Sequence, residues 1–166
     1  MSGNDTSSDR KEVFQKILGW LREKRFTIEE SNTSNNDSDI EHRARAYLIN
    51  KKDLQDKGRG LNITFRRSLS DSFLIHQSIG FTKLDKQAFL KLPKRQQGQY
   101  FMDMKKLFYP LHLNCEMKFP IMSIHKLIFV DSLNKQYFFD SVFDLLHALE
   151  LANIRYDELR YSLFSS

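Results

Sequence analysis

The chain has little of what would give it covalent or loop-based chemistry. It contains a single cysteine, Cys115, so no internal disulfide can form. Cys115 alternates with Leu113, Met117 and Phe119, which reads as one face of a strand and makes the thiol a small buried hydrophobe. A reducing compartment follows. Six glycines and three prolines leave few breakers, which predicts long regular elements. No apolar run reaches membrane-spanning length, so no membrane partner is expected. Residues Met1–Asp9 lack the apolar centre of a signal peptide, and the expected location is cytoplasmic. No long run of one charge sign is present, which excludes a polyelectrolyte tail.

Catalytic signatures are missing too. Gly58-Arg59-Gly60 lacks the spacing of a phosphate loop, and its downstream segment reads as strand rather than helix. There is no Gly-x-Ser-x-Gly elbow. His112 and Cys115 have the spacing of half a zinc site, but no second pair matches it. Only His125 could approach them, across a hairpin. Asp140 and Asp144 lie one turn apart near the start of a helix, where acidic residues serve its dipole and solvation. His76 reads as a surface or cross-strand residue rather than a base. No catalytic residue, metal site or cofactor is expected, and the chain reads as a non-enzyme.

What is present is a globular pattern. Hydrophobic residues make up 40% and charged residues 28%, the balance of a folded domain with a solvated surface. The 166 residues suffice for one domain with its own core. A disordered leader is expected over 1–8 and a single α+β domain over 9–166. Asp9 and Glu12 resemble a capping box for a first helix running to Arg25. Strands are expected at Phe26–Glu29, Arg43–Asn50, Leu61–Arg66 and Phe73–Phe81, with a polar loop over 31–39 and a turn over 55–60. Short connections make these strands an antiparallel meander of three to four.

A central helix follows, capped by Asp85, interrupted at Pro93 and ended by Pro110. Strands Leu113–Phe119 and Ile124–Val130 come next. Lys135–Phe164 has no glycine or proline and carries an apolar stripe at helical spacing, from Phe138 and Val142 through Leu145 and Ala152 to Tyr156 and Leu163. It reads as one long helix capped by Ser132 or Asn134.

Two surfaces stand out. The net charge of +5 and pI near 9.3 permit a nucleic-acid or acidic partner. The basic residues are spread, among them Arg66 and Arg67, Lys94 and Arg95, and Lys105 and Lys106, and each such pair reads first as a solvated face. Base stacking on Phe65 would need that ring exposed, whereas its alternation with Ile63 places it under the helices. The apolar stripe Phe101, Met104, Leu107 and Phe108 reads equally as core or as a homodimer interface through Phe101, Met104 and Phe108.

Three segments carry a resemblance: Trp20-Leu21 with Phe26, the run Phe73 to Phe81 (Phe-Leu-Ile-His-Gln-Ser-Ile-Gly-Phe), and the strand-to-helix run Lys126 to Phe139. With the element order, they make the chain similar to the fold of the type III secretion chaperones and their non-secretory relatives. More closely, it resembles an uncharacterised, mostly archaeal family sharing that fold. The resemblance implies a chaperone-like α+β domain, a homodimer, and binding of extended segments of a protein partner. This chain differs from those chaperones in being basic. The first expectation is therefore a non-enzymatic protein-binding module; the alternative is a basic nucleic-acid-associated protein.

Overall fold

The structure, a computed structural model, describes residues 5–31, 38–47 and 60–164. The helices are α1 (Asp5–Glu23), α2 (Lys83–Lys91), α3 (Lys94–Phe108) and α4 (Lys135–Phe164). The strands are β1 (Thr27–Glu30), β2 (Ile40–Tyr47), β3 (Leu61–Arg66), β4 (Ser72–Gly80), β5 (Asn114–Lys118) and β6 (Ile121–Phe129). The sheet has the order β1-β2-β3-β4-β6-β5. The expected α+β class holds, with a four-strand meander followed by a hairpin. The central helix is two helices, because Pro93 breaks it between Lys91 and Lys94. Most of the expected loop at 31–39, nearly all of the turn at 55–60 and the strand end at 48–50 lie outside the described residues.

The chain divides into two compact units. The first comprises Met1–His76 and Leu127–Phe139, the second Gln77–Lys126 and Asp140–Ser166. In the first unit α1 begins at Asp5, four residues before the expected cap at Asp9. It ends in a Schellman motif: the Phe26 N–H donates to the Leu21 carbonyl at 3.0 Å and the Arg25 N–H to the Arg22 carbonyl at 2.9 Å. Arg25 takes the left-handed conformation there, at φ 64°. The helix therefore stops two residues earlier than its charge pattern suggested. Phe14, Ile17, Leu18 and Leu21 of α1 are buried, as are Ala44, Ile63, Phe65, Phe73 and Ile75 of the sheet. Phe65 stacks on Phe73 at 4.7 Å and meets Phe14 edge-on at 5.5 Å.

His42 enters this core from the sheet. Its ring stacks on Phe14 at 5.2 Å, and its Nε2 is buried with no hydrogen-bond partner among the described residues. Burial depresses its pKa; Glu41 opposes that shift, and Arg10 and Lys11 reinforce it. The unfolded chain therefore takes up this proton before the folded one does. Stability contributed by neutral His42 is complete above the ordinary histidine value of 6.5 and declines as pH falls below it. Replacing His42 with phenylalanine is expected to flatten the pH dependence of urea unfolding in that range. An unchanged slope would remove His42 from the acid response.

In the second unit Thr82, not Asp85, caps α2. The Thr82 hydroxyl accepts from the Asp85 N–H at 3.2 Å and donates to the Asp85 carboxylate at 2.6 Å. The helix accordingly starts at Lys83, three residues before the Lys86 that a cap at Asp85 implies. α4 has the bounds its sequence predicts, and Asn134 accepts from the Tyr137 N–H at 2.9 Å as its cap.

Candidate functional site

Hairpin parity decides what the β5–β6 ribbon can do. Cys115 pairs with Ile124 and Met117 with Met122, while Asn114 pairs with His125. Cys115 and His125 therefore project from opposite faces, which removes the zinc geometry that His112 and Cys115 suggested. Among the described residues no group of three or more His, Cys, Asp or Glu could hold a metal ion. Burial raises the Cys115 thiol pKa, with a smaller opposing pull from the Lys105 charge, so the thiol stays protonated and inert.

That parity also sets the burial of β6 apart from that of β5. On β6, Ile124 is 0% and Met122 4% exposed. One strand out, on the same face, Cys115 and Met117 are only half-buried. β5 is the last strand of the sheet, so its outer edge carries no strand among the described residues. α3 lies against β5. Its half-buried Phe101 and Leu107, with Phe119 beyond β5, add apolar surface to the second unit. Phe101 and Phe119 rings lie 6.3 Å apart, and both meet Phe89 of α2, at 5.4 and 5.5 Å. The charge of Lys105 reaches Cys115 from α3.

The opposite edge is different in kind. β1 has four residues, and Glu29 and Glu30 on it are exposed. Glu30 pairs with Arg22 at 3.2 Å. A short, acidic edge discourages strand addition, whereas β5 offers half-exposed sulfur and aromatic groups.

The residues singled out from sequence fall as follows. Met104 and Phe108 are each 1% exposed and point into the core of the second unit, so they cannot form a subunit interface. Only Phe101 of that trio reaches the surface. α3 buries them because their i, i+4 spacing is shared with Tyr100, which is also buried. Arg66 and Arg67 serve local structure: Arg66 lies 3.5 Å from Asp39, and Arg67 donates to the Ser38 carbonyl at 2.6 Å. Phe65 is buried, so no base can stack on it. Lys94 lies 3.5 Å from the Gln97 amide oxygen. Arg95, Lys105 and Lys106 are exposed on α3. The pairs at its two ends are about 16 Å apart along the axis, on the same side of the helix. Of the two readings of His76, surface or cross-strand, the structure shows the second, with Nε2 3.0 Å from the Thr64 hydroxyl.

Asp85 is the carboxylate that most resembles a catalytic group, being fully buried. Tyr156 and Thr82 hydroxyls donate to it, and Arg160 Nε lies 3.2 Å away. Burial alone would raise its pKa; the Thr82 and Tyr156 hydrogen bonds and the Arg160 charge outweigh burial and hold it below the usual carboxylate value. Its oxygens are engaged by its own unit, so it acts as a structural link tying α4 to α2. Sequence spacing could not show this, because Tyr156 and Arg160 are far from Asp85 along the chain.

No helix among the described residues is long and apolar enough to cross a membrane. No curated protein matches the chain. A crystal structure of an uncharacterized protein from Methanothermobacter thermautotrophicus is similar, with a TM-score of 0.69 at 14% identity, covering 87% of this chain and 97% of that one. Similarity at that identity establishes the fold alone. The family described as an uncharacterized conserved protein, DUF2299, matches residues 13–155. That match spans most of the sequence, and the chain belongs to this family.

Proposed function

We propose that this protein is a non-enzymatic interaction module that takes an extended, acidic segment of a partner protein as an added strand on β5. The observation that carries this reading is the contrast across the hairpin. The helix layer buries Ile124 and Met122 yet leaves their β5 partners Cys115 and Met117 half-open. An added strand would satisfy the outer backbone groups of β5 and place alternate side chains beside Met117, Phe101 and Phe119. Charge selects the occupant. Lys105 forms no ion pair among the described residues, and Arg95 is likewise exposed without one. An acidic chain is therefore attracted to this side of the second unit. Type III secretion chaperones, which the chain resembles in element order, bind extended client segments, and that supports the same class of ligand.

The nucleic-acid alternative has less behind it, since Arg66 and Arg67 are engaged locally and Phe65 is buried. A synthetic peptide alternating valine and glutamate is the direct probe, titrated into the full chain at low salt. Binding is expected to protect the amides of β5 from hydrogen exchange. Met117→Asp and Lys105→Glu are each expected to weaken binding about 10-fold or more, the scale of a lost apolar anchor or a reversed charge. Binding of an oligonucleotide but not the peptide would overturn the reading. So would a concentration-dependent dimer that itself protects β5, since a second copy would then be the occupant.

A further inference from the structure

The face of the first unit's sheet that carries Arg43 and Arg45 has a feature that the β5 edge does not explain. Alternation makes Asn62 and Thr64 of β3 the polar, outward side chains of that strand. They are nevertheless only 7% and 3% exposed. The register places Arg45 opposite Asn62 and Asn62 opposite His76, with Arg43 opposite Thr64 in the next row. These side chains thus share one face across three adjacent strands.

Arg45 is held at two points. A Cβ built on Gly60 would lie 2.7 Å from Arg45 Cγ and 2.7 Å from Tyr47 Cε1, so the stem of Arg45 packs on the bare α-carbon. Its Nε donates to the Asn62 side-chain oxygen at 3.0 Å. Asn62 is fixed in turn, its amide nitrogen donating to the His76 carbonyl at 3.3 Å. The neighbouring carboxylate does not take the guanidinium. Glu29, paired with Arg45 in register, accepts instead from the Tyr47 hydroxyl at 3.2 Å. No ion pair to Arg43 or Arg45 forms among the described residues, and the terminal Nη groups of Arg45 lie beyond the bond that anchors it.

An exposed arginine ordinarily gives up rotamer freedom only when a partner repays it. Here the ordering is already done and the fork is presented to solvent. We infer that Arg45 and Arg43, with the Thr64–His76 pair beside them, form a site for a small anion bearing a phosphate or carboxylate group. The planar fork suits two oxygens of either group, and a preorganised fork loses little on binding. Arg43 supplies the second positive charge from the same strand face, two residues away.

Inorganic phosphate and succinate, titrated separately into the full chain and followed by NMR, test this and separate the two chemistries. Saturable shifts at Arg45, Asn62 and the His76 ring with at least one probe are expected. Arg43→Gln and Arg45→Gln are each expected to weaken binding roughly 10-fold or more, the scale of a lost charge-assisted hydrogen bond. Arg45→Lys keeps the charge and loses the fork, and is expected to fall between them and the native chain. Gly60→Ala adds a Cβ against the Arg45 stem and is expected to weaken binding while both arginines remain. Failure of both probes to bind overturns the site. So does unaltered binding in Arg43→Gln and Arg45→Gln, or binding of an oligonucleotide alone.

Discussion

Arg10→Ala is expected to remove roughly 3–5 kcal/mol of stability from the first unit, the scale of breaking a buried, hydrogen-bonded charge pair. Arg10 is nearly buried, and each guanidinium nitrogen is used. Nε meets Glu41 at 2.7 Å. Nη1 donates to the Leu69 and Ser70 carbonyls at 2.7 and 2.6 Å, and Nη2 to the Arg66 carbonyl at 2.9 Å. The ring of Phe65 lies 5.3 Å from the guanidinium carbon. One side chain thus organises the β3–β4 turn and ties it to α1. Alanine would remove the Arg10 donors from those turn carbonyls, leaving the Arg66 and Leu69 carbonyls only the Leu69 and Ser72 N–H groups, and would take from Glu41 its guanidinium. Arg10→Lys keeps the charge, but a point ammonium cannot serve a carboxylate and separated carbonyls at once, so most of the loss is expected to remain. Urea midpoints at constant m-value are the measurement. A loss below about 1 kcal/mol for both variants would mean that the network behaves as an exposed ion pair.

Arg10 also shows where sequence reading stops. Its partners lie about 30 to 60 positions away, and no local pattern separates it from Lys11 beside it. The readable parts are those whose signal is local. Lys135–Phe164 is legible end to end because no breaker interrupts its period and Asn134 supplies the cap. Leu61–Arg66 is legible because it alternates. Alternation did not reveal that both faces of β3 are covered, since Asn62 and Thr64 are buried by neighbours on other strands. The β5 site was invisible for a related reason. Cys115 and Met117 alternate like any buried pair, and only the sheet order shows that β5 lies at an edge. The stripe Phe101, Met104 and Phe108 has the same hydropathy whether it packs inside or against a partner. Packing placed two of the three inside. Asp85 suits a cap by residue type, yet it lies in the first turn of α2, where its N–H donates to the Thr82 hydroxyl and its carboxylate accepts from that hydroxyl.

Phe89→Ala is the second large effect and the one that links packing to the proposed site. Phe89 is fully buried on α2. Its ring lies 5.1 Å from Phe81, 5.6 Å from Tyr100, 5.4 Å from Phe101 and 5.5 Å from Phe119. Truncation removes a whole ring from among others that cannot collapse without leaving their own contacts. A loss of roughly 3–5 kcal/mol from the second unit is therefore expected in urea unfolding. Leu84 on the same helix is exposed, and Leu84→Ala is expected to stay within about 0.5 kcal/mol of the native chain. The functional consequence runs through Phe101 and Phe119, which rest on Phe89 and flank the open side of β5. Under conditions where the variant is still folded, its affinity for the acidic peptide is expected to fall although Phe89 itself is out of reach of any ligand. Phe89→Leu, which refills part of the space, is expected to recover both properties together. Recovery of stability without recovery of binding would separate the aromatic cluster from the β5 edge and locate the peptide elsewhere.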